Sequence, residues 1–196
     1  METTNEQIGM PLDELLQRGS RENFELINGK VKIAMPTGGL HNDLLYLLFV
    51  KIYAYIMQQQ SGAVRFEFTF IQPDSYNPNW VKASYTPDVC VYNGTRLADY
   101  IAATPDRGTR PYELIPDITI EVLSPNDYYS DVDEKVEAYL RLGVRHVVLV
   151  DAQRRKVIHH LPGAAPVSMA ADAPDAALTF GDLLPGFALP LADLFA

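Results

Sequence analysis

Pro116-Asp117-Ile118-Thr119-Ile120-Glu121-Val122-Leu123-Ser124-Pro125, followed by a segment running through Lys135 to Gly143, decides how this chain folds. Residues 118–123 are aliphatic apart from Thr119 and Glu121, the pattern of a strand buried on both faces in a sheet covered by helices. A carboxylate in such a strand needs a cation, hydrogen-bond donors or a raised pKa, so Glu121 implies a partner brought from elsewhere. Ser124-Pro125 stops the strand. Ser130 with Asp133 three residues later predicts a capping-box start to a helix that ends at Gly143. At about 100° per residue, Asp133, Glu134, Glu137 and Arg141 share one polar arc. Val132, Val136, Ala138, Tyr139, Leu140 and Leu142 fill the other arc, and Lys135 projects within it. Its ammonium is therefore expected near the sheet surface and Glu121. A structural ion pair, a lysine stem snorkelling to water and a functional pair all remain open from this stretch alone.

Outward from this stretch, 196 residues with 47% hydrophobic content suffice for one domain with a sizeable core, and a single domain over 1–196 is expected. No run of about 18 apolar residues occurs, and Met1-Glu2-Thr3-Thr4-Asn5-Glu6 lacks the basic and apolar regions of a signal peptide. A soluble, cytoplasmic protein with no membrane partner is expected. Cys90 is the sole cysteine, which excludes an internal disulfide and a thiolate zinc cluster. The net charge of −9 argues against holding nucleic acid by bulk electrostatics, but leaves room for a site where a divalent ion offsets the charge locally.

Towards the N-terminus, Pro11 to Arg18 reads as a short amphipathic helix with Gly19 past its end. Phe24 to Ile27 and Lys30 to Met35 flank Asn28-Gly29, the signature of a type I′ hairpin. Leu40 to Met57 carries His41, Leu44, Leu45, Leu48, Ile52, Tyr55 and Ile56 at helical spacing and is the main packing helix, with His41 in its first turn. Val64 to Ile71 alternates cleanly and predicts one strand with one face in the core, and Gln72 to Lys82 a loop. Tyr85 to Tyr92 enters a strand through Pro87, with Asp88 as its first residue inside and Cys90 and Tyr92 on the same face. A short helix is expected at Leu97 to Ala102. Beyond Gly143, Arg145 to Asp151 and Lys156 to His160 form a strand pair, in which the neighbouring His159 and His160 point to opposite faces and chelate poorly together. Val167 to Ala170 is extended, and Phe180 to Phe195 is apolar enough to pack back on the domain.

Asp88 opening one strand, Glu121 within a later strand and Lys135 on the helix after it form a chemically meaningful set. Two carboxylates converging from adjacent strands offer hard oxygen ligands to Mg²⁺ or Mn²⁺ while leaving positions for water and a phosphate oxygen. A lysine beside them can orient water and offset charge on phosphorus.

Pro87-Asp88 followed by Glu121-Val122-Leu123 resembles the signature of the PD-(D/E)XK nuclease superfamily. Thr86-Pro87-Asp88-Val89, Glu121-Val122-Leu123-Ser124-Pro125, Lys135 with Tyr139, and Gly143-Val144 before a strand resemble more closely the Uma-type restriction endonucleases. The likeness runs from the Phe24-Glu25-Leu26-Ile27 hairpin through His41 to Leu184-Pro185-Gly186-Phe187. It implies an α/β, restriction-endonuclease-like core, a mixed sheet flanked by helices with an N-terminal hairpin and the two acids on adjacent central strands. It implies Asp88 and Glu121 as metal ligands for Mg²⁺ or Mn²⁺, Lys135 as the catalytic lysine, and Glu25, His41 and Tyr139 as supporting residues. Two departures stand out. The lysine usually found two residues after the second acid is Leu123 here, and the hairpin turn reads Asn28-Gly29-Lys30 rather than Asp-Gly-Glu.

The function so implied is metal-dependent hydrolysis of phosphodiester bonds in DNA, with weak, salt-sensitive non-specific binding and a homodimer suited to cutting both strands. The alternative class is a non-catalytic module that keeps the fold, binds nucleic acid or protein, and retains the acids and lysine as a buried charge network. Cleavage of RNA or of a small phosphodiester is equally compatible with these residues.

Overall fold

The computed structural model describes residues 8–105, 107–125 and 127–196, so the N-terminal stretch read for a signal peptide lies outside the described residues. In chain order the elements are β1 (Met10–Pro11), α1 (Leu12–Gly19), β2 (Phe24–Ile27), β3 (Lys30–Ile33), α2 (Gly39–Gln59), β4 (Gly62–Phe66), β5 (Phe70–Pro73), β6 (Trp80–Tyr85), β7 (Val89–Asn93), α3 (Arg96–Ala103), β8 (Ile118–Leu123), α4 (Tyr129–Leu142), β9 (His146–Asp151), β10 (Lys156–His160), β11 (Val167–Ala170), β12 (Ala177–Leu178), β13 (Leu189–Pro190) and α5 (Leu191–Leu194). They fall into two compact units. The first comprises the described residues up to Met35 with Thr69–Thr86 and 107–113, and the second comprises Pro36–Phe68, 87–105 and the described residues from Leu114 to Ala196.

The first unit is built on a five-stranded antiparallel sheet in which β6 pairs with β1, β2 and β5, and β2 pairs with β3. Asn28 (φ 50°) and Gly29 (φ 75°) both adopt the left-handed geometry of the type I′ turn, which sets the Phe24–Ile33 register. β3 ends at Ile33, two residues before the expected end of the hairpin at Met35. A small core of Met10, Leu12, Leu15, Phe24, Leu26, Ile71 and Val81 lies under α1. Gly19 is the last residue of α1 rather than the residue beyond it.

The second unit carries a six-stranded sheet ordered β11-β10-β9-β8-β7-β4. It is mixed: β8 and β9 run parallel, joined by α4 as a crossover, and the other pairs are antiparallel. β8 is central and almost wholly buried, as a strand covered on both faces requires. Ile118, Ile120 and Val122 face one core together with Leu44, Leu48, Ile52 and Ile56 of α2 and with Phe180, Leu184, Phe187, Leu191 and Phe195, so the C-terminal segment does pack back on the domain. Thr119 and Glu121 alternate to the opposite face, the side that Tyr139 of α4 reaches.

Three local expectations need correction. Residues 64–71 are two strands rather than one: Glu67 takes a positive φ of 44°, its N–H donates to the Asp88 carbonyl at 3.0 Å, and β4 and β5 join different sheets. The segment read as a loop to Lys82 already contains β6 from Trp80. α4 begins at Tyr129 with Tyr128 as N-cap and no side-chain cap, so Ser130 and Asp133 form no capping box, whereas Gly143 ends the helix at φ 99° as expected.

Candidate active site

β7, β8, α2 and α4 place five of the six expected residues in two groups of contacts, Asp88 with His41 and Glu121 with Lys135 and Tyr139, which meet at the Val122 N–H next to Glu121. Asp88 stands immediately ahead of β7 rather than inside it. Its Oδ2 accepts the Val122 N–H at 2.6 Å, replacing a ladder bond where β7 stops pairing with β8, and this sets the carboxylate against the peptide that follows Glu121. Its Oδ1 lies 3.3 Å from Nε2 of His41 in the first turn of α2. The Asp88 hydrogen bond raises the His41 pKa, against burial, which lowers it, so the imidazolium is favoured beside the carboxylate. Nδ1 of His41 is buried with no hydrogen-bond partner among the described residues.

Glu121 is held from α4. Lys135 Nζ donates to Oε2 at 3.0 Å, and the Tyr139 hydroxyl donates to Oε1 at 2.8 Å. Lys135 and Tyr139 are four residues apart, one above the other on the helix face that covers the sheet, and the ammonium lies 5.8 Å from the Tyr139 ring centroid. The Lys135 and Glu121 side chains are each 13% exposed, and Asp88 is 17% exposed. The set is sheltered but reachable. Lys135 thus reaches the second acid from the helix, with Leu123 occupying the strand position two residues beyond Glu121.

Glu25 belongs to the first unit, where its Oε1 accepts the Thr86 N–H at 2.6 Å and so holds the chain two residues ahead of Asp88. Asp127 escaped the sequence reading. Its Oδ2 accepts the Ser124 N–H at 2.7 Å, closing the turn after β8, and its charge contributes to raising the His41 pKa. The signal available in the sequence was an acid within a Ser-Pro turn directly after the acidic strand. Cys90 is fully buried next to this region and burial pushes its thiol up to about 12, which suits an inert filler rather than a nucleophile.

Asp88 and Glu121 supply carboxylate oxygens of the kind a hard divalent cation takes, and no group of three or more His, Cys, Asp or Glu is placed to hold a metal ion among the described residues. That composition fits Mg²⁺, which is commonly held by one or two carboxylates with water and substrate oxygens completing the shell.

The sequence model of the Uma2 family, described as "Putative restriction endonuclease", matches residues 12–192. The chain belongs to this family. The Uma2 match takes in both compact units and every residue of the set above. Among solved structures, one from Anabaena variabilis ATCC 29413, described as "a putative nuclease belonging to DUF820", is similar at a TM-score of 0.74 and 24% identity, covering 95% of this chain and 97% of that one. That likeness bears on the fold, and it agrees with the mixed sheet flanked by helices. No curated protein matches the chain. Among the described residues no helix is long and apolar enough to cross a membrane.

Proposed function

We propose that this Uma2-family protein is a metal-dependent endonuclease acting on DNA, with the two units working as one catalytic domain over 1–196. The observation that supports the reading is that Asp88, just ahead of β7, accepts at 2.6 Å the N–H of Val122, the residue next to Glu121, which itself is held by Lys135 at 3.0 Å. Asp88 and Glu121 would hold Mg²⁺ or Mn²⁺, which when bound supplies positive charge at the phosphate and a more acidic water. Lys135, fixed by Glu121 and the Tyr139 ring, keeps an ammonium where negative charge on phosphorus would build up. Tyr139 keeps Glu121 oriented through Oε1. His41 holds Asp88 through Oδ1 and, as an imidazolium, limits repulsion between the acids and an incoming phosphate. Glu25 supports the approach to Asp88 by fixing Thr86. Most of the rate would come from positioning and electrostatics.

One observation favours a second reading, a fold-retaining binding module without catalysis: all four oxygens of the two carboxylates already face protein donors, as in a structural charge network. Single- and double-stranded DNA and RNA, incubated with the protein in Mg²⁺, Mn²⁺ or EDTA beside a Glu121→Ala variant, separate the two. Metal-dependent cleavage of DNA that the variant loses is the expected outcome. Cleavage of RNA alone would move the substrate assignment, and absence of cleavage in every lane with both proteins folded would leave the binding module.

A further inference from the structure

A helix on the surface of a globular protein normally turns a charged face to water, and one that is apolar all round is covered on every side. α2 breaks the first rule. Its inward face buries Leu44, Leu45, Leu48, Ile52 and Ile56. Its opposite face presents Tyr46 at 68% exposure, Val50 at 36%, Tyr53 at 47% and Met57 at 58%, spaced three to four residues apart along one stripe. Phe66, 51% exposed at the end of β4, extends the stripe sideways through Phe49, which stacks on Tyr53 at 5.7 Å and meets Phe66 edge-on at 4.9 Å. β4 is the terminal strand of its sheet, so an open sheet edge adjoins the apolar face.

We propose that the stripe Tyr46-Val50-Tyr53-Met57, widened by Phe49 and Phe66, is the surface on which two copies of this chain pair about a two-fold axis. Charge selects a second copy as the occupant. The chain carries a net charge of −9, so most faces of two copies repel each other, yet no acid occurs between Asp43 and Glu67, the longest acid-free run in the sequence. Lys51 and Arg65 are the charged residues within that run, too few to draw an anionic membrane onto the stripe. Area agrees. Large aromatic side chains offer roughly 150–250 Å² each, so at these exposures the stripe leaves on the order of 600 Å² per copy. Two facing copies would cover about 1,200 Å², which reaches the range of specific interfaces. α2 is long enough, at about 1.5 Å per residue, to cross its symmetry mate along several turns. Val50 sits near the middle of the stripe and would lie close to its own copy at the axis, as a self-complementary interface requires. The pairing is independent of the nuclease reading.

Sedimentation velocity without metal or nucleic acid tests it. The wild-type chain should sediment as two copies of its 21.9 kDa mass at micromolar concentration. Val50→Asp, which sets two like charges against each other at the axis, should sediment as one copy, with association weakened by about 100-fold or more and an unchanged circular dichroism spectrum. Val50→Cys keeps the apolar character and decides the matter should the aspartate variant misfold: it should form a disulfide between copies on mild oxidation, while buried Cys90 does not. A wild-type chain that stays at one mass up to about 100 µM, whether or not it binds vesicles or DNA, would overturn the proposal. So would a dimer that Val50→Asp leaves intact and Val50→Cys does not cross-link.

Discussion

At the scale of single residues, the site rests on contacts whose removal has a sign. Lys135 and Glu121 are both largely shielded from water, so replacing Lys135 by Met takes away the cation facing Oε2 while leaving a carboxylate that is costly to keep charged there. A loss of about 2 kcal/mol in stability is expected from a charge-assisted hydrogen bond of this kind, read as a lowered urea midpoint at unchanged slope, together with loss of nuclease activity. An activity kept at the wild-type level would remove Lys135 from catalysis. Away from the site, His146 Nδ1 and His159 Nε2 lie 2.8 Å apart beneath Phe180, and burial, then His146 and His160, lowers the His159 pKa to about 4 from 6.5. The unfolded chain takes up this proton as pH falls through 6.5, and the folded chain does so only near 4. The stability that neutral His159 preserves is therefore whole above pH 6.5 and is lost as pH falls toward 4, with a slope of up to about 1.4 kcal/mol per pH unit. Unfolding curves of wild type and His159→Gln across that window should converge in slope above pH 6.5 and separate below it, the variant being the flatter of the two. Parallel curves would contradict the burial of a neutral histidine pair.

At the scale of elements, the places where sequence and structure part company make the sharpest tests. Ser130 has the spacing of a capping box with Asp133 but lies within α4, where no side chain caps the helix. Ser130→Ala should therefore change stability by less than about 0.5 kcal/mol, whereas a true cap would cost about 1. Gly62 opens β4 with a φ of 153°, and a Cβ there would lie 2.2 Å from the Tyr92 carbonyl oxygen across the β4–β7 pair. Backbone cannot yield cheaply, so Gly62→Ala should cost on the order of 2–3 kcal/mol in thermal or urea unfolding. The same contrast explains what could be read in advance. β8 and α4 were legible because burial on both faces and a helical arc are local patterns, and the inward-facing Lys135 followed from them. The Asn28-Gly29 turn was legible because few residue pairs tolerate two positive φ angles. The break at Glu67 was hidden, since apolar-polar alternation continues unchanged across it and what separates β4 from β5 is the pairing of each with a distant strand, β7 or β6. The contact of His41 with Asp88 was likewise out of reach of local pattern, because it depends on where α2 enters relative to the start of β7. Family resemblance supplied what periodicity could not.

At the scale of the whole molecule, the balance of charge governs how nucleic acid can approach. With a net charge of −9, the chain has little long-range attraction for a polyanion, and Asp88 and Glu121 add local repulsion at the proposed point of contact. A divalent ion shared with the phosphate would reverse that local sign, so binding and metal should be linked. Titrating labelled duplex DNA in Ca²⁺, a hard cation that favours oxygen ligands, should give tighter binding than in EDTA by about tenfold or more, equivalent to about 1.4 kcal/mol. Asp88→Asn removes one of the two negative charges while keeping an oxygen that can accept the Val122 N–H. In EDTA this variant should bind DNA more tightly than wild type, and in Mg²⁺ it should not cleave. Because the two effects have opposite directions, a variant that merely loosens the fold could not mimic them. Binding that is equal in Ca²⁺ and EDTA and indifferent to Asp88→Asn would detach the acids from nucleic acid altogether and leave Asp88 as the cap of the β7–β8 ladder.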